Sequence, residues 1–340
     1  MKKLFCARKW MAVLCLLPLL LLVACGPAET RGAAMDTYYG LRLYEGSQEL
    51  INDMTARLEQ VDFYLDAHRE GSDIARINAA PTQDVTLSQD AAAVLAIAQD
   101  LYTRTGGVFS PYLWPLIQAW NIKDDTDQPA WQPPDQGAID AAMAACNPPA
   151  RLDAQALQLS REGAGVDLGA IAKGYMVDVW RDMARADGVE SAMMDMGGTI
   201  CVMGPKPDGT PWKVGLQDPN GGLGQNYAIM EMTDACVSTS GDYVRFQTYQ
   251  DQRYGHIIDP RTGAPANAGL VSVSVIGPSG AVCDALSTAL FVLGREEGFA
   301  LLAQFEGYRA VAVDKGKTIH LSHADMVENF TVHNTAYTLA

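Results

Sequence analysis

Two cofactor signatures are missing from this sequence of 340 residues. It holds no GxxxxGK[ST] phosphate loop, and no GxGxxG follows a strand-like run, so neither a P-loop nucleotidase nor a doubly wound dinucleotide fold is indicated. CxxC pairs and Cys/His groupings at ligand spacing are also absent, which argues against a zinc site. No internal repeat and no long low-complexity linker interrupts the chain. Positive charge is scarce: 25 Lys and Arg stand against 40 Asp and Glu, a formal net charge of −15. Lys2, Lys3, Arg8 and Lys9 fall in a leader without acids, so the balance beyond it is −19. Such a chain is a poor partner for nucleic acid or anionic lipid, which both need clustered cations. A phosphorylated substrate would need local help, and a metal ion is the obvious supplier.

What is present begins with that leader. A basic start is followed by an uncharged, Leu-rich stretch from Trp10 to Ala24, shorter than the roughly 20 apolar residues of a spanning helix and suited to a signal peptide. Leu22-Val23-Ala24-Cys25-Gly26 resembles the lipobox of bacterial lipoproteins. The expectation is a signal peptide over 1–25, lipid on Cys25, a tether over 26–34 and anchorage at the extracytoplasmic (periplasmic) face of the cell membrane. Without the leader and Cys25, the cysteines are Cys146, Cys201, Cys236 and Cys283. Export permits a disulfide, but the apolar runs around Cys201 and Cys236 favour buried free thiols packed as small hydrophobes.

A chain with 48% hydrophobic residues can bury a sizeable core. Apolar spacing predicts helices over 50–61 and 91–102, the second with Ser88 as cap and Asp90 in its first turn. The stretch 130–149 reads as a surface excursion or lid around a short helix. Short β-type runs follow at 191–194, 212–216, 228–232 and 270–276, then a helix over 281–293 stopped by Gly294. Strands 310–313 and 318–321 close the fold around a turn at 314–316. Strands in blocks indicate an α+β fold, not alternating βαβ units.

Three segments carry chemistry. Asp167-Leu-Gly-Ala-Ile-Ala-Lys173 leads into an amphipathic helix reaching toward Ala186, whose start would welcome phosphate with Lys173 in reach; the plain alternative is a helix cap beside a solvated lysine. His256 is framed by a strand, Asp259 and a Pro/Gly turn, a setting that fixes an imidazole for general-base work. His68 lies in a polar loop, while His320, His323 and His333 lie near the C-terminus. Asp284, Ser287 and Thr288 share one helical face opposite Leu and Phe, hard oxygens that suit Mg²⁺; the alternative is an N-capping Asp with a core-facing Thr. The stretches 106–116, 193–200 and 236–243 are Gly-marked, and hydroxyls at Ser238, Thr239 and Ser240 suit phosphate or ribose.

In order, Ser72-Asp-Ile-Ala-Arg-Ile-Asn78, Gly107-Val-Phe-Ser-Pro111, DLGAIAKGY, Met194-Asp-Met-Gly-Gly198, Trp212 to Pro219, STSGDY, HIIDPRTG and DALSTALFVLG resemble the bacterial FAD:protein FMN transferases, the ApbE family of lipoproteins. The resemblance spans about 35–321. It implies a T-fold-like α+β domain over 35–325, followed by a tail over 326–340. It also implies Mg²⁺ and transfer of FMN from FAD to a Ser or Thr hydroxyl of an acceptor protein bearing a D-G-x-[S/T]-type sequence, with AMP leaving. Such acceptors are subunits of membrane redox complexes. His256 matches the catalytic histidine. Met35, His68, Val108, Phe109, Ser110, Asp167, Lys173 and Ile258 fall at FAD-contact positions. The Ala170 carbonyl, Asp284, Ser287 and Thr288 match the metal site. Ser110 and Ser287 stand where acidic residues are common, Gly255 where a second His is common, His68 where an aromatic is usual and Asp36 where Gly is usual. Two rivals accompany this expectation: an FAD pyrophosphatase releasing FMN and AMP, and a non-catalytic FAD-binding lipoprotein.

Overall fold

A computed structural model describes residues 26–123, 131–222, 224–243 and 245–340. The leader and Cys25 lie outside the described residues. Nine strands form the main sheet, in the order Ala28–Ala34, Thr37–Tyr44, Ser191–Met196, Thr199–Met203, Ala235–Gly241, Leu270–Gly277, Arg309–Asp314, Thr318–Leu321 and Thr338–Leu339. Every neighbouring pair is antiparallel except the last. The helices are α1 (Gln48–Leu65), α2 (Asp73–Ala79), α3 (Gln89–Arg104), α4 (Trp114–Trp120), α5 (Gln136–Ala145), α6 (Ala172–Ala186), α7 (Gly280–Leu293) and α8 (Arg295–Leu302).

Period-two alternation along the strands makes the sheet the middle of three layers. Cys236, Val273, Val275, Ala310 and Ala312 point into a core shared with α1, α3, α6 and α7. Their neighbours Val237, Val311 and Val313 point the other way, onto Trp212, Val214, Tyr227, Met230 and Phe330. Those residues come from a three-stranded sheet of Trp212–Gln217, Asn226–Met232 and Phe330–Val332. The mixed α+β architecture with strands in blocks is the one expected.

The helix starts follow from local chemistry: the side chains of Ser47, Ser72, Ser88 and Ser279 accept main-chain N–H groups at the heads of α1, α2, α3 and α7, each worth about 1 kcal/mol. Four expectations need correction. Residues 28–34 are not a tether but an edge strand, paired residue for residue with 37–43. Residues 326–340 are not a tail: Phe330–Val332 completes the small sheet and Thr338–Leu339 the large one. The stretch around α5 is not a free lid, because Ile139 and Ala142 pack with Leu116, Trp120 and Ile258 in a satellite core. Finally, Cys201 and Cys236 are directly opposed cross-strand residues and form a disulfide; a register between strands 35 residues apart brings them together, and no local pattern reports it. Cys146 and Cys283 are free and buried, and burial pushes the Cys146 thiol up to about 11, which keeps it inert.

Candidate functional site

Helix α7 is buried nearly all round, between α6 and the sheet. A helix in that position is apolar on most faces, so its few oxygens need partners. Asp284, 4% exposed, has them: Ser238 Oγ donates to its Oδ1 at 2.9 Å and the Gly174 N–H to its Oδ2 at 3.1 Å. Thr199 Oγ1 stands 2.8 Å from Ser238 Oγ; since Ser238 spends its proton on Asp284, Thr199 donates. Ser240 Oγ lies 2.8 Å from Ser287 Oγ and 3.1 Å from Thr288 Oγ1. The Ser238 and Ser240 hydroxyls, read from the sequence as phosphate or ribose contacts, therefore brace the α7 oxygens, and Thr239 faces away to bond Ser274. Asp284 is no helix cap; Ser279 caps α7.

Two helices meet closely at this wall. A Cβ on Gly174 would lie 2.2 Å from the Gly280 carbonyl oxygen, so only glycine allows the crossing. One turn further along α6, the Asp178 carboxylate accepts the N–H groups of Gly280 and Ala281 at 2.8 and 3.0 Å and the Ser279 hydroxyl at 2.7 Å. A carboxylate at a helix N-terminus is favourable, and Arg181 balances it at 2.8 Å. These residues fix Asp284 relative to the start of α6. Sequence reasoning missed Gly174 and Asp178; their spacing of four, on one helix face, was the available signal.

The segment from Asp167 to Lys173 is extended through Leu168, turns over 169–171 and enters α6 at Ala172, which places Lys173 in the first turn of the helix. The Gly169 N–H donates to Asp167 Oδ1 at 2.9 Å, and Lys173 Nζ donates back to the Gly169 carbonyl at 2.8 Å. Lys173 Nζ also stands 3.9 Å from Asp284 Oδ2, and Ala170 lies in the turn that leads into α6. Burial raises the Asp167 carboxyl, opposed by the Gly169 N–H and by the charges of His68, Lys173 and Arg245. Desolvation therefore outweighs its cationic surroundings.

His256 sits one residue past the hairpin of Phe246–Tyr249 and Gln252–Gly255. Its main-chain N–H donates to the Arg245 carbonyl at 3.1 Å, and its Nδ1 lies 3.1 Å from the same oxygen. A carbonyl only accepts, so Nδ1 carries the proton and Nε2 the lone pair. Burial, then the Arg245 charge, lower the imidazole to about 4. The ring is a neutral base at any pH above that. Asp259 is held by Arg261 at 2.8 Å, which makes the DPR turn rigid behind it.

The remaining expected positions divide. Met35 and Asp36 form the two-residue turn of the first hairpin, with φ of 51° and 55°. That turn is tied to the base by Arg245, whose Nη2 donates to the Asp36 carbonyl at 3.3 Å. Exposed His68 packs on Trp114 with ring centroids 5.1 Å apart and lies close enough to Asp167 to influence it. The Ser110 loop joins them because the Pro111 carbonyl accepts the Asp167 N–H at 2.9 Å. Ser110 Oγ itself is engaged by Asn147 at 2.6 Å. Val108 is partly buried against the main core. Phe109 and Ile258 are 2% and 6% exposed, their side chains committed to the main and satellite cores, so only their main chains remain for a ligand.

Asp284, Ser287 and Thr288 are hard oxygens beside a cationic Lys173, a donor set that fits Mg²⁺, an ion held by one or two carboxylates plus substrate phosphates. Among the described residues, the one cluster of three His, Cys, Asp or Glu ligand atoms within 4.8 Å is Asp178, Cys201 and Cys236, and there the sulfurs are joined. Helix α7 itself brings one carboxylate, Asp284, to this site.

The ApbE family model matches residues 35–312. The chain belongs to the ApbE family. FAD:protein FMN transferases from Treponema pallidum and Vibrio cholerae are 34% and 32% identical to it, covering 85% and 86% of this chain and 83% and 90% of their own lengths. The solved ApbE protein from Thermotoga maritima superposes with a TM-score of 0.80 at 26% identity, covering 89% of this chain and 99% of that one. The flavin transferase ApbE from Vibrio cholerae gives a TM-score of 0.74 at 28% identity, covering 85% of this chain and 94% of that one. In this ApbE protein the site just described lies where strand ends, the α6 turn and α7 converge.

Proposed function

We infer that this protein transfers FMN from FAD to a Ser or Thr hydroxyl of an acceptor protein and releases AMP. The observation that carries the reading is the convergence of a buried carboxylate on α7 with Lys173, 3.9 Å from it, and a neutral, oriented His256 that feels the Lys173 charge. His256 Nε2 takes the proton of the acceptor hydroxyl. The hydroxyl oxygen attacks the FMN-side phosphorus, a new P–O bond forms, and the pyrophosphate P–O bond breaks with AMP as leaving group. Lys173 offsets the negative charge that repels the incoming oxygen. Mg²⁺, held by Asp284, Thr288 and Ser287 with the Ala170 carbonyl, would supply further charge neutralisation on the pyrophosphate oxygens. Asp167, Met35, His68 and the loop 108–110 line the FAD side, with Phe109 and Ile258 contributing main chain.

We further infer that acceptors carry a D-G-x-[S/T]-type segment in subunits of membrane redox complexes, and that lipid on Cys25 holds enzyme and acceptor at one extracytoplasmic surface. The Cys201–Cys236 disulfide supports an oxidising compartment. Incubating the protein with FAD, Mg²⁺ and a D-G-x-[S/T] acceptor tests the whole reading. Covalent flavin with AMP is expected; AMP with free FMN would make the enzyme a pyrophosphatase, and neither product would reduce it to an FAD-binding protein.

A further inference from the structure

Arg245 bridges the Met35 turn and His256 and its side chain has no role in the reading above. Its carbonyl receives both the N–H and the Nδ1 of His256, because it sits directly opposite His256 beyond the Phe246↔Gly255 pair of the hairpin. Its guanidinium reaches the other way, to the Asp36 carbonyl beside Met35. Its positive charge is felt by two more groups of the site, the Asp167 carboxyl and the His256 imidazole, which Lys173 also influences. One residue therefore touches the Met35 turn and the base, and its charge reaches the Asp167 turn. A diphosphate is the most negative part of FAD, and the surrounding chain is strongly acidic, with 40 acids to 25 bases. Guanidinium, planar and five-fold donating, is the side chain best matched to phosphate oxygens.

We propose that Arg245 binds the FAD pyrophosphate and positions it against His256, so that one residue orients the base through its carbonyl and the phosphorus under attack through its side chain. The two functions are mechanically linked by the hairpin base: any shift of the main chain at 245 moves imidazole and phosphate together. Lys173 then serves the side of the pyrophosphate nearer Asp284, and Arg245 the side nearer the acceptor hydroxyl.

The proposal rests on the flavin-transfer reading, and covalent flavin on a D-G-x-[S/T] acceptor together with AMP release by the unaltered protein checks that reading first. Without both products the reading itself fails; with them, the Arg245 variants decide. Arg245→Met should lower kcat/KM for FAD by about 10- to 100-fold, the scale of a lost charge-assisted hydrogen bond, with most of the loss in KM. Guanidinium chloride at tens of millimolar should restore part of the activity of Arg245→Met, whereas equal sodium chloride should not, and neither should rescue His256→Ala. Arg245→Lys, which keeps charge without the fork, should fall between the two and melt at the parental temperature; it decides the matter should Arg245→Met fail to fold. A folded Arg245→Met or Arg245→Lys within twofold of the parent would overturn the proposal. So would a loss confined to kcat that neither lysine nor guanidinium repairs, since that pattern belongs to a purely structural arginine.

Discussion

Asp284, Ser287 and Thr288 sit on a helix buried on nearly all sides, whereas Met35, Ser110 and His256 sit where hairpins and loops end. The α7 wall has its oxygens tied to Ser238, Ser240 and Gly174, and Asp178 locks its helix to α6. The rim is held from loops and hairpin ends, for example by the 3.3 Å contact of Arg245 with Asp36, and includes a methionine at positive φ, a conformation uncommon outside glycine and asparagine. Fixed charge for phosphate chemistry is best held by rigid secondary structure. Substrate shape and acceptor access are better served by segments that adjust.

This contrast can be broken by substitution. Asp284→Ala should have the largest effect, a fall in AMP release of roughly a thousandfold, equal to the several kcal/mol a bound metal ion supplies. A titration of rate against Mg²⁺ checks it, and an unchanged half-saturation would remove Asp284 from the metal site. His256→Ala should lower turnover by about a hundredfold or more while FAD binding, followed by flavin fluorescence, stays near the parental value. A matching loss of affinity would mean that the rim is as structurally coupled as the wall.

The pH dependence sharpens the rim's electrostatics. Because burial and Arg245 lower His256 to about 4, its free base persists as pH falls through the ordinary histidine range near 6.5. The acid limb of kcat/KM, which reports the free enzyme, should therefore lie near pH 4 to 5; a limb at 6.5 would contradict the desolvated, neutral imidazole. The same sign makes folding less stable below about pH 6.5, where the unfolded chain takes up the proton first. The smallest effect on rate belongs behind the wall. Replacing Cys201 and Cys236 by Ala should cost about 2–4 kcal/mol of stability, read as a lower melting temperature, with AMP release within severalfold of the parent. A rate loss of a hundredfold would place the disulfide, two residues from Ser238, in the machinery.

Much of this was legible because it is local. Ser88 before a run of 3.6-period apolar residues caps α3 as expected, and the strands at 191–196, 212–217, 226–232, 270–277, 309–314 and 318–321 fall where β-type runs between turns place them. The motif HIIDPRTG marked His256. The parts not legible depend on distant partners. The strand Ala28–Ala34 has a weak β composition, and only the neighbouring strand across the Met35–Asp36 turn makes it one. Spacing sets the α7 oxygens opposite Leu and Phe but does not say what meets them, and only the fold shows that Ser238, Ser240 and Gly174 do. Phe109 and Ile258 share motifs with ligand-facing residues, and only packing shows that their side chains belong to cores. Arg245 escaped notice because its neighbour across the hairpin, not its own sequence context, gives it a place.

The most direct test of transfer is the intact mass of an acceptor protein after incubation with FAD and Mg²⁺, alongside the AMP released. The acceptor should gain the mass of one FMN less one water, with AMP formed in equal amount, and neither change should occur on the same timescale with His256→Ala. AMP without any mass gain on an acceptor carrying the D-G-x-[S/T] segment would contradict flavin transfer.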